Sequence, residues 1–268
     1  MSTSDDLYNR YGPMYRWLVT TAALLAFFVM VFASSMVNVA IPNVMGTFGV
    51  GQDKAQFLSS AFLATTVASL LANTWLIARF GQPITFHTCI IIFVIGSLIS
   101  TFSPTLNMII FGRIVQGFGA GVIQPLIMVL LFDIFPAEKR GIAMGFFSMG
   151  VGFALGLAPA LGGFVVDLLG WRYVFLIPIP VALLSLVLGV FFIPERKSRG
   201  PAGKFDYLGY GLMCSFVFCL MTILGNGQRW GWASDEVALL SALMVFSLVG
   251  FVYSQRRPNG NLMDLSVF

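Results

Sequence analysis

Runs of about twenty apolar residues recur along this chain, and that recurrence constrains the fold more than any motif does. A hydrocarbon layer needs about 20 apolar residues per helix. Inside it every backbone N–H and C=O must find a partner within the protein, which leaves helices for runs of this length. Eight runs qualify, at about 17–41, 56–78, 84–102, 107–132, 142–166, 173–193, 207–224 and 237–253. The chain is 58% hydrophobic and 10% charged, against about 45–50% and about 25% in soluble domains. The expected fold is an all-α polytopic membrane protein with eight transmembrane helices. Its formal net charge of +4 does not point to nucleic acid, because the basic residues sit in short loops between apolar runs.

Those basic residues set the orientation. With the N-terminus inside, the inner set is Arg10, Arg16, Arg79, Lys139, Arg140, Arg196, Lys197, Arg199, Lys204, Arg256 and Arg257. The outer set is Lys54, Arg172 and Arg229. Eight spans return the C-terminus to the inner side. The first run is too long for a signal peptide and lacks a small-residue cleavage site, so it is expected to stay as a span. Cys89, Cys214 and Cys219 all lie in apolar segments. They show no metal or disulfide spacing, and no metal or cofactor is expected.

One basic residue, Arg113, is left within the membrane. A lone arginine there costs roughly 2.5–3.5 kcal/mol on insertion scales, so such residues usually carry function. Gln116 and Gly117 follow at i+3 and i+4, on the same side of the helix. Gly117, Gly119 and Gly121 echo a dinucleotide fingerprint, but no strand precedes them. Close helix packing explains them better, and Pro125 permits a bend. Span 5 spaces Gly150, Ala154 and Ala158 four apart, a groove for a neighbouring helix. Pro159, Gly162 and Gly163 weaken its outer end, which suits a conformational change. On span 1, Ser34 and Asn38 share a face. They serve either as interhelical hydrogen-bond glue or as cavity lining. Arg79 and Gly81 stand in the tight turn between spans 2 and 3.

The assembled pattern resembles the major facilitator superfamily, and more narrowly its EmrB/QacA-type fourteen-span drug:proton antiporters. Arg113-x-x-Gln116-Gly117-x-Gly119-Ala120 is similar to the family's span-4 motif. Gly150, Ala154, Ala158, Pro159, Gly162 and Gly163 fit its span-5 antiporter motif, with alanine replacing two glycines. Asn38-Val-Ala40-Ile41-Pro42 fits the end of the span-1 motif. Trp171-Arg172-Tyr173-Val-Phe175, with Pro178 and Pro180, fits the start of span 6. Departures also stand out. Ala33 replaces the usual span-1 aspartate. Ala78, Gln82 and Pro83 replace an acid and two bases of the span 2–3 loop, leaving Arg79 and Gly81 of that cytoplasmic gate.

The resemblance implies a cytoplasmic N-terminus (1–16), a six-helix N-terminal transporter half (17–193), a cytoplasmic linker (194–206), two accessory helices (207–254) and a cytoplasmic tail (255–268). It implies a truncated N-terminal part, because Asp264 to Phe268 suits the segment before span 9. It further implies a secondary active transporter of the bacterial inner membrane, exporting drugs or other amphipathic compounds by alternating access with proton antiport. Arg113, Gln116, Asn38 and Ser34 are the expected transport and coupling residues. A periplasmic adaptor and an outer-membrane channel are partners by resemblance only. All eleven acids fall in loops, termini or helix ends, so no proton-carrying carboxylate is evident in mid-membrane. With Arg113 as the one buried charge, neutral or anionic substrates are expected over cationic ones. The alternatives are a non-transporting remnant or membrane partner subunit, and a membrane-embedded enzyme. The latter is disfavoured because no nucleophile–base or metal constellation shares one depth.

Overall fold

Eight helices long and apolar enough to cross a membrane carry the chain in a computed structural model that describes residues 11–12, 14–194 and 205–255. They are α1 (Met14–Phe48), α2 (Phe57–Phe80), α3 (Gln82–Thr101), α4 (Leu106–Ile134), α5 (Arg140–Leu168), α6 (Pro178–Phe192), α7 (Tyr207–Trp230) and α8 (Asp235–Gln255). Short helical turns lead into α2, α5 and α6 at Gln52–Ala55, Ala137–Lys139 and Tyr173–Leu176. The expected N-terminal segment 1–10, linker residues 195–204 and tail 256–268 lie outside the described residues.

Helix existence follows from the apolar runs; helix ends follow from local chemistry. The Thr105 side chain caps α4 by accepting a bond from the Met108 N–H at 3.3 Å. Asp206 caps α7 through the Gly209 N–H at 2.8 Å. Gly81, at φ +82°, lets the chain turn directly from α2 into α3. Two helices overrun the apolar stretches that predict them. α1 continues through Pro42 to Phe48, and α7 reaches Trp230. A membrane helix tolerates an internal proline because neighbours satisfy the freed carbonyl.

The helices pack as two triplets. α4 lies between α2 and α3, while α1 lies between α5 and α6. α1 meets α4, and α3 meets α6, which joins the triplets. Exchanging α1 with α4, α2 with α5 and α3 with α6 turns one triplet into the other, so helices three apart in the chain play equivalent parts, the mark of an internal repeat. The core has two clusters along the bundle axis. Phe32, Met36, Ala154, Ala158 and Trp171 belong to one, and Phe86, Phe93, Ile127 and Leu130 to the other. α7 and α8 form a hairpin that reaches the bundle through α2. Asp206 and Gln255 pin it by a 2.7 Å hydrogen bond, and Ser247 donates to Ser215 at 3.1 Å.

Candidate functional site

Arg113 is fully buried on α4, and no other Lys, Arg, Asp or Glu is buried among the described residues. Its Nε donates to the Leu58 carbonyl on α2 at 3.0 Å, and its Nη1 to Gln116 Oε1 at 2.8 Å. Gln116 Nε2 then donates to Ser97 Oγ on α3 at 2.6 Å, and Ser97 Oγ donates to the Phe93 carbonyl at 3.0 Å. A polar thread therefore crosses the α2–α4–α3 triplet. The guanidinium carbon also sits 4.0 Å from the centroid of the Phe62 ring. A desolvated cation over an aromatic face gains about 2 kcal/mol. Nη2 is buried with no hydrogen-bond partner among the described residues.

The i, i+3 spacing places Gln116 beside Arg113, but Asn38 is engaged elsewhere. Its Oδ1 accepts a 2.6 Å bond from Ser59 on α2, and its side chain is exposed. Ser34 lines a cavity of about 130 Å³ with Phe27, Met30, Ser35, Phe62, Thr66, Ala120, Gln124 and Leu155. Residues of α1, α2, α4 and α5 thus meet at one hollow. Gln124 and Leu155 in its lining are exposed, and its polar side chains are hydroxyls and a carboxamide.

The glycines of α4 let that helix approach its neighbours. A Cβ on Gly117 or Gly121 would collide with the Phe62 or Thr66 carbonyl of α2. On Gly119 it would collide with the Cys89 carbonyl of α3. The span-5 series divides. Ala154, Ala158 and Gly162 are buried, and Gly162 lies against Met36 of α1. Gly150 and Gly163 have open space where a Cβ would be, and Pro159 is exposed.

At the end of the bundle carrying the α2–α3 turn, Arg79 is exposed in the last turn of α2. Gln82 is buried and donates to Asp133 Oδ2 at 2.9 Å. The residue standing where the family pattern has a base thus ties α3 to the end of α4 without a charge of its own. At the other end, Arg172 stacks on Trp171, 4.3 Å from its ring, and donates to the Ser103 carbonyl at 3.4 Å. Trp171 Nε1 donates to Thr47 Oγ1 at 3.0 Å. These contacts engage Arg172 with a ring and a carbonyl. Among the described residues no group of three or more His, Cys, Asp or Glu is placed to hold a metal.

Two pseudo-repeated triplets around a hollow, with a buried cation beside it, make this a membrane transporter fold. A model of the Major Facilitator Superfamily matches residues 23–265, and the chain belongs to that superfamily. It is 31% identical over 252 residues to the multidrug export protein EmrB of Haemophilus influenzae, covering 94% of this chain and 49% of that protein. It is 29% identical over 260 residues to YhcA, an uncharacterised transporter of the same type from Bacillus subtilis, covering 97% and 48%. The chain thus spans about half the length of these relatives. The solved proton:xylose symporter XylE, bound to 6-bromo-6-deoxy-D-glucose, shares the fold with a TM-score of 0.60 and 17% identity. That match covers 90% of this chain and 55% of the symporter. Among the site residues that sequence reading misses are Phe62 and Leu58. Both look like ordinary apolar residues, and the signal of their role is an arginine on another helix.

Proposed function

We propose that this chain forms the N-terminal half of a secondary transporter that exports amphipathic organic compounds by alternating access. The carrying observation is the hollow between α1, α2, α4 and α5, walled by aromatic rings and neutral polar groups. The export activity named for the EmrB relative supports the direction. Ser34 and Gln124 bind substrate in this reading. Asn38 with Ser59 holds α1 to α2, and α5 slides on α1 along Ala154, Ala158 and Gly162. Arg79 and Gly81 belong to the inner gate. The chain sits in a bacterial inner membrane with both termini cytoplasmic, following the basic residues. A periplasmic adaptor and an outer-membrane channel complete the export path.

Proton antiport needs a group that takes up and releases a proton within the membrane. Ala33, where the family pattern has an acid, is a buried alanine. Coupling is therefore assigned to groups beyond the described residues. A second reading is a membrane partner that binds but does not move substrate, since the hollow has a binding lining while no Asp or Glu is buried among the described residues. The 268-residue chain in proteoliposomes tests both. Uptake of a neutral amphipathic dye, lost in Ser34→Leu and Arg113→Ala, supports transport. Saturable binding without uptake supports the second reading, and absence of binding overturns both.

A further inference from the structure

The hollow and the buried cation share a wall. Phe62 lines the hollow, yet the residue is 3% exposed and its ring centroid lies 4.0 Å from the Arg113 guanidinium carbon. Arg113 has two nitrogens engaged by neutral oxygens and a third, Nη2, buried without a partner among the described residues. The polar groups facing the hollow are the hydroxyls of Ser34, Ser35 and Thr66 and the Gln124 carboxamide, with no charge among them. An arginine with a spare N–H is a strong carboxylate receptor, since a charge-assisted bond is roughly twice as strong as a neutral one. Phe62 both lines the hollow and contacts this guanidinium.

We propose that Phe62 is the specificity-determining screen of this cavity: by covering Arg113 it restricts the site to uncharged amphipathic ligands, and withdrawing its ring converts the site into one for organic carboxylates. The proposal rests on the reading of the hollow as the substrate site, and it narrows the neutral-or-anionic expectation to neutral. The ring faces the cation with its electron-rich side, so it stands in for an anion electrostatically while remaining apolar toward the hollow. A carboxylate reaching Nη2 must first displace it.

The experiment uses the full chain in nanodiscs as wild type, Phe62→Ala, Phe62→Leu and Phe62→Ala/Arg113→Gln, each checked for a monodisperse elution profile. Two readouts are taken. Phenylglyoxal, a neutral dicarbonyl that modifies guanidinium groups, is mapped by peptide mass spectrometry. Arg113 stays unmodified in wild type and Phe62→Leu and gains an adduct in Phe62→Ala. Binding of 1-naphthylacetate is then compared with that of its primary amide. The acid gains about tenfold over the amide in Phe62→Ala, and the gain disappears in the double variant. Equal labelling of Arg113 in wild type and Phe62→Ala overturns the screen, as does an acid gain that survives Arg113→Gln. If neither naphthyl probe binds any variant, the substrate-site reading falls, and dicarbonyl labelling alone decides whether Phe62 shields Arg113.

Discussion

With the Leu58 carbonyl and Gln116 Oε1 as acceptors and Phe62 beneath its plane, Arg113 keeps its place in apolar surroundings through neutral groups. Each acceptor then matters more than in a salt bridge, because no carboxylate offsets the desolvation of the cation. Gln116→Leu removes the acceptor of Nη1 and the donor to Ser97 Oγ, which keeps its own bond to the Phe93 carbonyl. It should lower unfolding free energy in mixed micelles by about 2–3 kcal/mol. Arg113→Met/Gln116→Leu should be milder than the sum of the two single changes, since no buried donor then remains unsatisfied. Strict additivity would show that the two side chains do not act as a unit. Spacing alone makes Gln116 legible as Arg113's neighbour, because i and i+3 share a helix side whatever the fold. Leu58 and Ser97 are not legible that way, for their roles arise only when α2 and α3 close on α4. Phe62 is one of 27 phenylalanines, with nothing in its local sequence to mark it.

Helix surfaces sort the glycines into two kinds that composition does not distinguish. On α4 they are sites of backbone contact; on α5 several face open space. Gly121→Ala should therefore destabilise the protein by about 1–3 kcal/mol through overpacking. Gly150→Ala should be neutral or stabilising by about 0.5–1 kcal/mol, because it removes only the entropic cost of glycine in a helix. Thermal unfolding of the two variants side by side checks this, and equal losses would contradict it. Asp206 is the matching case for the α7–α8 hairpin. It caps α7 and accepts from Gln255, so Asp206→Ala should cost about 1 kcal/mol for the cap alone. Hydrogen exchange should rise at the first turn of α7 and the last of α8. Exchange unchanged at both ends would show that the pin is dispensable. Helix count is legible in the sequence because bilayer thickness imposes it. Helix ends are less so: Pro42 reads as a stop, and Gly225 to Glu236 reads as a loop, yet packing carries both helices onward.

Taken whole, the bundle is held by interior packing more than by surface charge. The Arg229–Asp53 pair at 3.5 Å joins α7 to the turn before α2, with both side chains partly exposed. Exposed pairs contribute about 0–1 kcal/mol, so Asp53→Asn should leave the melting temperature unchanged. A clear drop would mean that this pair holds the hairpin in place. Orientation has its own measurement. In a chain freed of its native cysteines, Ser234→Cys should react with an impermeant maleimide in intact cells, and Glu138→Cys only after permeabilisation. The reverse pattern would invert the topology. The two triplets also impose an order on biogenesis. α2, α3 and α4 are consecutive and complete a packed unit once Ile134 has been synthesised. α1 must wait for α5 and α6, and Arg140 lies far beyond Phe48. At elongation rates of about 5–20 residues per second that wait is on the order of ten seconds. α1, made before the other seven membrane-length helices described, is thus among the last to settle. In the interval its serines and small-residue face depend on lipid or an insertase for company.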